Sequence, residues 1–372
     1  MNEDTYCEFL LGKIKSLFPK KEVEAFLEAN EKLRPTTLGV NSLFKRRKDL
    51  MHSLAMRNVE CGELDWTDTG IVAFHSPVPL GATPEYLSGE YTIQGANSML
   101  PVLNLEIKAE ESCCESDEEE SDIPVPAEDN KNKEMDNKEI NSNKEINSNN
   151  TNKEIDNNNK NKNSPNKKKS KKDIFTVVDL CTAPGGKSTH IATLMNNNGI
   201  LYSIDICKNR THALKSNLLR MGIENCKITN YDAKEFDVGK VDRVLLDAPC
   251  SGTGVIAKDP LIKTSKSHED IKEIAKVQKK LILHAFGMLK TIGIMVYLTC
   301  SILVEENEEV VSYLMANRKN AKICKVDVDV GRNGFTSFKG ENFNGPLQYS
   351  RRIYPHVHNI DGFYYCKIRK TN

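Results

Sequence analysis

The second half of the chain alternates between short apolar runs and amphipathic stretches. Runs rich in β-branched residues predict five strands, at 174–180, 199–205, 226–231, 241–247 and 292–300. Apolar residues three or four positions apart predict helices between them, at 187–195, 208–221 and 269–289. This alternation predicts a mainly parallel sheet covered by helices on both faces. We therefore expect an α/β domain with a doubly wound, Rossmann-like sheet over residues 174–372.

The first hundred residues carry shorter and mixed patterns. Helical spacing of apolar residues between Thr5 and Leu33 predicts two helices, which Pro19 separates. Further elements are predicted as strands at 35–41 and 70–74, an amphipathic helix that contains Leu50, Leu54 and Met56, and a turn with a helix entry at 87–99. We expect these elements to form a small α+β domain over residues 1–108. The basic residues 45–48 favour a solvated helix face.

Residues 109–173 differ sharply in composition from the rest of the chain. An acidic run at 115–120 gives way to repeats of Asn, Lys, Glu and Ile, and then to a lysine-rich run at 167–172. With few aliphatic residues, the segment cannot bury enough surface to offset the entropy lost on ordering. We expect a disordered, low-complexity insertion. Its lysine run suits RNA contact or nuclear import, although a solvated tail is the favoured interpretation.

Composition narrows the class of protein only slightly. The chain has 372 residues with 52 basic and 52 acidic side chains, so its net charge favours no particular partner. No apolar run is long enough to span a bilayer, and the first residues do not resemble a secretory leader. The 11 cysteines lie at irregular spacings without a zinc-type Cys-x-x-Cys pair. We expect a soluble, intracellular protein with reduced thiols, no membrane partner and no metal.

The turn after the first predicted strand favours a bound ligand. It comprises Cys181, Thr182, Ala183, Pro184, Gly185, Gly186 and Lys187. Its glycines allow close backbone approach, and the helix that follows presents free amides. A nucleotide-triphosphate loop does not fit, because Cys181 stands where that motif has its first glycine and Pro184 lacks an amide hydrogen. The dinucleotide fingerprint Gly-x-Gly-x-x-Gly is also absent.

Acidic residues end the next two strands. Asp205 is placed to accept hydrogen bonds from ribose hydroxyls, and Asp232 is placed to meet an adenine amino group. Each carboxylate alone is equally well explained as a strand-end cap. Together with the glycine turn, they predict a nucleoside cofactor without a phosphate loop. S-adenosylmethionine fits this description.

Two cysteines follow the fourth and fifth strands. Cys250 and Cys300 are flanked by small polar residues at the ends of strands, where the ligand cleft of such a sheet lies. A thiol in this position is a candidate nucleophile. For the other cysteines considered, packing is the preferred interpretation; these are Cys7, Cys207, Cys226, Cys324 and Cys366.

Three motifs together resemble the Nop2/Sun (RsmB-like) family of RNA cytosine-5 methyltransferases. They are the runs at 179–187, 245–254 and 299–301. The resemblance extends to 258–260, 304–307 and 351–363. In the first domain, the runs at 79–86 and 94–101 resemble the nucleolar branch, which modifies large-subunit ribosomal RNA. Only the insertion lies outside the resemblance.

The resemblance implies a mechanism and a set of roles. Cys300 would add to carbon 6 of the cytosine, and Cys250 would be needed to release the product. Asp247 would bind the cytosine edge and belong to the cofactor site as well. Pro249 would shape the base pocket, and Lys258 would support the site. The first domain would be an RRM-like RNA-binding domain preceding a domain that uses S-adenosylmethionine.

The implied setting is ribosome biogenesis. We expect ribosomal RNA and pre-ribosomal particles as partners, a monomeric chain, and a location in the nucleus and nucleolus. Transfer RNA is the alternative substrate, and an assembly factor with dispensable methylation is the alternative function. Several residues near the carboxyl end are candidates for RNA contact or, equally, for packing; these are Phe335, Phe338, Arg351, Arg352, Tyr354 and His356.

Overall fold

The computed structural model describes residues 2–108, 174–182, 184–343 and 345–372. The predicted insertion at 109–173 lies outside the described residues, as does Ala183. The parts before and after the insertion belong to one compact unit.

The first described segment combines helices with a four-stranded antiparallel sheet. Its elements are α1 (Glu8–Leu17), α2 (Lys20–Asn30), β1 (Thr36–Val40), α3 (Arg47–Ala55), β2 (Glu60–Glu63), β3 (Gly70–His75), α4 (Pro84–Leu87), β4 (Tyr91–Ile93) and α5 (Ala96–Leu103). The strand order is β2-β3-β1-β4. The two amino-terminal helices and the strands near 35–41 and 70–74 confirm the predictions. Helix α3 packs on one face, where Leu50 and Leu54 meet Leu38 and Ile71.

The second part supplies all the strands of a nine-stranded sheet. Its elements are β5 (Thr176–Leu180), α6 (Gly186–Leu194), β6 (Ile200–Asp205), α7 (Lys208–Arg220), β7 (Cys226–Asn230), β8 (Val241–Asp247), α8 (Ile262–Ser265), α9 (His268–Met288), β9 (Leu289–Thr299), α10 (Glu308–Asn317), β10 (Ala321–Ile323), β11 (Arg332–Asn333), β12 (Ser337–Phe338), β13 (Glu341–Asn342), β14 (Arg351–Ile353), α11 (Pro355–His358) and β15 (Phe363–Lys370). The sheet order is β11-β14-β15-β9-β8-β5-β6-β7, with β10 pairing β15.

The five predicted strands are all present and run parallel to one another, from β9 through β8, β5 and β6 to β7. One face of this sheet is covered by α9 and α10, through Leu281 and Val310. The opposite face is covered by α6 and α7, through Ile191 and Leu214. Helices on both faces confirm the predicted doubly wound class.

The first segment also contributes to cores outside its own sheet. Leu10 and Phe26 of α1 and α2 pack against Ile302 and Tyr354. Leu100 of α5 belongs to the core under β5. Helices α1, α2 and α5 therefore pack against the second part of the chain.

The carboxyl-terminal residues turn inward. Arg352 is 1% exposed and its guanidinium forms an ion pair with Glu308, which is fully buried. Arg351 pairs with Asp329, and Tyr354 is buried. The ring of His356 lies 5.0 Å from that of Phe18. For these four residues the packing interpretation is the one observed, whereas Phe335 and Phe338 contact each other in a half-buried position.

Within the described residues, none of the helices has the length and apolar character needed to cross a bilayer. The same residues contain no group of three or more His, Cys, Asp or Glu side chains arranged to hold a metal ion.

Candidate active site

The turn after β5 departs from ordinary backbone geometry at two residues. Cys181 has a φ of 61° and Gly185 has a φ of 100°, both in the left-handed region. A Cβ at position 185 would lie 2.3 Å from Leu214 Cδ1, so only glycine fits there. The Gly185 amide donates to the Thr182 carbonyl at 3.0 Å and closes the turn. Helix α6 then begins at Gly186 with its free amides toward the strand ends.

A buried carboxylate holds this turn. Asp179, fully buried in β5, accepts hydrogen bonds from the hydroxyls of Thr182 at 2.7 Å and Ser188 at 2.6 Å. Ser203 of β6 donates in turn to Ser188 at 2.9 Å. Burial raises the pKa of Asp179 to about 6. The carboxylate thus ties the end of the strand to the first turn of α6.

A cavity of about 180 Å³ lies beside the turn. Three predicted cofactor residues, Cys181, Asp205 and Asp232, line it together with Pro249, and Ile206 and Leu281 add apolar walls. Burial raises the pKa of the Cys181 thiol to about 12, so this cysteine stays protonated at neutral pH. The cavity therefore joins an acidic edge to an apolar wall.

The carboxylates of this cavity are already oriented by neighbouring groups. Asp205 Oδ1 accepts from the Cys207 amide at 2.8 Å and from Arg210 at 3.0 Å. Asp232 accepts from the Lys234 amide at 2.9 Å. These contacts fix the direction in which each carboxylate faces.

The other predicted turn residues lie apart from the cavity walls. The Thr182 hydroxyl is turned inward to Asp179, and the Pro184 carbonyl accepts from Asn217 at 3.1 Å. Ala183 is the one predicted site residue outside the described part of the chain. Lys187 points instead to β8, where its ammonium lies 2.7 Å from Asp247 Oδ2. Burial opposes the charge on Lys187, but Asp247 outweighs it and the lysine's pKa is raised.

The two predicted thiols meet at the ends of neighbouring strands. Strands β8 and β9 are parallel, with Asp247 opposite Leu298, and the loops that follow bring Cys250 Sγ to 2.9 Å from Cys300 Sγ. The hydrogen bond to Cys300, together with burial, raises the pKa of Cys250 well above its usual value. Cys250 therefore keeps its proton at neutral pH.

A second buried carboxylate lies beneath the two cysteine loops. Glu306 is fully buried. Its carboxylate accepts hydrogen bonds from the Ser251 amide at 2.7 Å and from the Ser251 hydroxyl at 2.5 Å. The Ser301 hydroxyl also donates to it, and Gln278 of α9 does so at 3.3 Å. Burial raises the pKa of Glu306. One side chain thus joins the residue after Cys250 to the residue after Cys300.

Lys258 lies on the outer side of these loops. Its ammonium is 2.6 Å from Asp361 Oδ2, in a half-exposed ion pair. The backbone nearby is crossed by a second segment so closely that a Cβ on Gly254 would lie 2.1 Å from the Gly362 carbonyl oxygen. The Gly254 amide donates to the Cys300 carbonyl at 2.8 Å, and the Gly362 amide donates to the Gly254 carbonyl at 2.7 Å. Two glycines therefore couple the carboxyl-terminal segment to the Cys300 loop.

Comparison with known proteins identifies the family to which the chain belongs. The sequence profile described as 16S rRNA methyltransferase RsmB/F matches residues 167–369. The chain belongs to the RsmB/F family. It is 40% identical over 98% of its length to the human 28S rRNA (cytosine(4447)-C(5))-methyltransferase, and 37% identical over 99% of its length to the 25S rRNA (cytosine-C(5))-methyltransferase nop2 of Schizosaccharomyces pombe. The resemblance drawn from the motifs is confirmed.

The chain covers only part of these relatives, 38% of the human protein and 51% of the fission yeast protein. A solved structure of a methyltransferase homolog from Pyrococcus horikoshii is 26% identical, with a TM-score of 0.73 over 96% of this chain and 93% of that one. The structure of NSun6 from the same organism, solved with SFG, has a TM-score of 0.73 over all of both chains, at 20% identity. These likenesses confirm the predicted fold class for this member of the RsmB/F family.

Sequence reasoning did not assign roles to the two buried carboxylates, Asp179 and Glu306. Each sits within a motif used for the resemblance, and each is surrounded by serine and threonine residues. An acidic residue in an otherwise apolar strand, followed by hydroxyl side chains, is the signal that could have identified Asp179. For Glu306, Ser301 lies five residues earlier, but Ser251 and Gln278 are 55 and 28 positions away, so the local sequence carries only part of the signal.

Proposed function

We propose that this chain transfers a methyl group from S-adenosylmethionine to carbon 5 of a cytosine in large-subunit ribosomal RNA. The observation that carries the proposal is the pair of thiols 2.9 Å apart at two neighbouring strand ends. The names of the human and fission yeast relatives, which describe cytosine-C5 methylation of 28S and 25S rRNA, support the choice of base and RNA.

The residues of the 180 Å³ cavity fit the cofactor. Asp205 and Asp232 offer carboxylate oxygens for ribose hydroxyls and an adenine amino group, while Ile206 and Leu281 offer apolar contacts for a base. Thr182, Ala183, Pro184, Gly185, Gly186 and Lys187 complete the proposed cofactor site as the turn beside it. When bound, the cofactor supplies an electrophilic methyl group on a sulfonium sulfur.

Cys300 supplies the nucleophile in this proposal. Its thiolate forms a bond to carbon 6 of the cytosine, and the electron pair of the carbon 5–carbon 6 double bond becomes available for attack on the methyl group. Asp247 binds the cytosine edge, with Lys187 at 2.7 Å fixing the carboxylate, and Pro249 shapes the pocket. Lys258 supports the base from the outer side.

Cys250 takes part in the release of the product. A solvent water molecule takes the carbon 5 proton. The electron pair of the broken carbon–hydrogen bond restores the carbon 5–carbon 6 double bond, while the carbon 6–sulfur bond breaks and expels the Cys300 thiolate. Cys250 is protonated and lies within hydrogen-bond distance of the departing sulfur, so it can donate a proton to that thiolate. Without this group we expect the protein to stay attached to the RNA.

Cysteine substitutions test the mechanism. With labelled cofactor and large-subunit rRNA, Cys300→Ala is expected to abolish methyl transfer, and Cys250→Ala is expected to leave a protein–RNA adduct that survives a denaturing gel. Cys324→Ala, at a cysteine outside the site, is the matched control and is expected to retain activity. Full activity in Cys300→Ala would overturn the assignment of the nucleophile.

The cellular setting is part of the same proposal. We infer action on pre-ribosomal particles in the nucleus and nucleolus, because the relatives' names concern ribosomal RNA. We infer a monomer, because every proposed site residue comes from one chain. Bisulfite sequencing of ribosomal and transfer RNA after depletion distinguishes the two substrates. Complementation of a depleted strain with Cys300→Ala tests the assembly-factor alternative, since normal ribosome output in that strain would make methylation dispensable.

A further inference from the structure

A second cavity lies on the face of the four-stranded sheet opposite α3 and shares Lys258 with the proposed substrate site. It measures about 400 Å³, within the range of about 300–1,000 Å³ typical of ligand pockets. We call it the sheet groove. Its wall on the sheet side is formed by Trp66, Val72 and Phe74, and its opposite wall by Lys258 and the segment at 358–361.

The sheet face in this groove carries apolar side chains that are only partly buried. In β3, Ile71 and Ala73 point into the core under α3, so Val72 and Phe74 point the other way, into the groove. Phe74 is 66% exposed, although the hydrophobic effect favours its burial. Exposed aromatic rings on a sheet are the usual platform on which unstacked RNA bases pack.

Gln94 gives the groove a buried polar group without a partner. Its side chain lines the cavity and is 6% exposed, yet among the described residues neither its amide nitrogen nor its amide oxygen has a hydrogen-bond partner. A buried amide without hydrogen bonds destabilises the folded chain, so a ligand is expected to complete its hydrogen bonds. The glutamine amide offers one donor side and one acceptor side, the pattern that pairs with the edge of a nucleobase.

The charges in the groove favour a phosphate backbone. Arg34 and Lys258 line it, and of the lining residues described Asp361 alone carries a carboxylate, which pairs with Lys258 at 2.6 Å. The Arg34 guanidinium donates to Asn359 at 3.2 Å and keeps a buried Nε without a partner among the described residues. Cations beside aromatic rings are the combination found where proteins hold single-stranded RNA.

Two segments of the proposed catalytic site border the groove. At one end, Gln94 lies against the start of α6, where a Cβ on Gly186 would be 3.7 Å from Gln94 Cγ. At the other end, Asp361 is followed by Gly362, which is hydrogen-bonded to Gly254 and through it to the Cys300 carbonyl. A nucleotide in the groove would therefore lie beside the start of α6 and beside the segment that is hydrogen-bonded to the Cys300 loop.

We propose that the sheet groove binds the nucleotide adjacent to the target cytosine, with its base against Trp66 and Phe74 and its edge hydrogen-bonded to Gln94. The proposal rests on the proposed function, because it takes the cytosine at Cys300 as its reference point. Gln94 is then a specificity-determining residue of the reaction, and Arg34 and Lys258 contact the phosphates on either side.

A trapped complex tests the position of the nucleotide. Large-subunit rRNA transcribed with 5-fluorocytidine cannot lose a carbon 5 proton, so the adduct with Cys300 is expected to persist. Ultraviolet irradiation of this adduct, followed by nuclease and protease digestion, is expected to yield a Trp66 or Phe74 peptide that carries a nucleotide. An adduct without any crosslink at these peptides overturns the groove proposal alone. Absence of the adduct overturns the proposed function and the groove proposal with it.

Kinetics of matched variants test the contacts. Phe74→Ala is expected to raise KM for RNA about tenfold, with kcat and KM for the cofactor unchanged. Gln94→Leu is expected to raise KM for RNA similarly while leaving the melting temperature unchanged or higher, since it removes an unsatisfied buried amide. Tyr313→Ala, at an aromatic residue 39% exposed outside the groove, is the control and is expected to behave like the unaltered chain. Unchanged KM for RNA in both groove variants overturns the proposal.

Discussion

Asp179 lies under the turn at 181–187, and Glu306 lies under the loops that carry Cys250 and Cys300. Both carboxylates are fully buried, both have a raised pKa, and both accept hydrogen bonds from two hydroxyl side chains. They differ in how far along the chain their partners lie. Asp179 holds Thr182 and Ser188, three and nine residues away. Glu306 holds one near partner, Ser301 at five residues, and two distant ones, Ser251 and Gln278, at 55 and 28 residues.

The hydrogen bonds of Asp179 are therefore local along the chain, whereas those of Glu306 also join distant parts of the chain. Asp179 shapes a single strand–turn–helix unit, which the strand and helix geometry already favours. Glu306 joins two loops and a helix that lie far apart along the chain, together with the bonds of Thr253 to Ile302 and of Gly254 to Cys300. The position of the two thiols therefore depends on Glu306 more than the position of the cofactor turn depends on Asp179.

The largest effect is expected when Glu306 is removed. Glu306→Ala leaves the Ser251 amide and the Ser251 and Ser301 hydroxyls without their acceptor, at a cost of roughly 3 kcal/mol in the free energy of unfolding. Because the two thiols lose their common support, we expect methyl transfer to fall about 100-fold. Urea unfolding and the rate of transfer from labelled cofactor measure the two effects.

Two variants separate positioning from general destabilisation. Glu306→Gln keeps the size and one acceptor oxygen, so it is expected to recover part of the activity that Glu306→Ala loses. Glu305→Ala, one residue earlier and paired with Lys13 near the surface, is expected to have little effect. In Glu306→Ala, KM for the cofactor is expected to stay unchanged. A rise in that KM with an unaltered kcat would contradict the distinction drawn between the two carboxylates.

The second effect is a pH dependence at Asp179. Its pKa rises from 3.8 to about 6 on folding, so between these values the folded state binds a proton that the unfolded state has lost. The free energy of unfolding contributed by this group therefore falls as pH rises through that window. Asp179→Asn lacks this titration. The stability advantage of the unaltered chain over Asp179→Asn is expected to shrink by up to about 3 kcal/mol between about pH 4 and about pH 7.

Urea unfolding of both proteins across this range measures the change, and other titrating groups cancel in the difference. Asp65→Asn, at an exposed carboxylate, is the matched control and is expected to show a constant difference from the unaltered chain. A constant difference for Asp179→Asn as well would show that Asp179 is not held in a setting that disfavours its charge.

The sequence predicted the parallel part of the fold because its strands are continuous apolar runs between helices of regular period. It did not predict β14 and β15. These strands contain Arg352 and Lys367, whose burial breaks the apolar pattern and depends on ion pairs with Glu308 and Asp327 from elsewhere in the chain. The short strands β2 and β4 were also missed, since three or four residues give little periodicity.

The candidate site shows the same division. Cys250 and Cys300 could be placed at strand ends from sequence, and parallel strands deliver such ends to one edge of a sheet. The 2.9 Å between their sulfurs could not be predicted, because it requires β8 and β9 to be neighbours and Glu306 to join their loops. The lack of hydrogen-bond partners for the Gln94 side chain among the described residues could not be predicted either, because it depends on which groups lie around that side chain in the fold.

The smallest effects are expected from two hydroxyl groups that do not contact the buried carboxylates directly. Thr253 belongs to the hydrogen bonds around Glu306, and Ser203 belongs to those around Asp179. Thr253 Oγ1 accepts from the Ile302 amide at 3.2 Å and contacts Ser301 at 3.0 Å, while Ser203 donates to Ser188 at 2.9 Å. Thr253→Ala leaves a buried amide unsatisfied and is expected to cost about 1–2 kcal/mol. Ser203→Ala removes side-chain contacts to Ser188 and Cys226 but leaves no backbone amide unsatisfied, so it is expected to cost about 0.5–1 kcal/mol. Urea midpoints of the two variants give this order directly.

Thr253→Ser retains the hydroxyl and is expected to restore most of the stability that Thr253→Ala loses, which ties the loss to the hydrogen bond rather than to the methyl group. If Ser203→Ala proved the more costly change, the network under the cofactor turn would be the less tolerant of the two. The hydrogen bonds around Glu306 would then not be what holds the site together, because removing the Thr253 hydroxyl would lower the free energy of unfolding less than removing the Ser203 hydroxyl near Asp179.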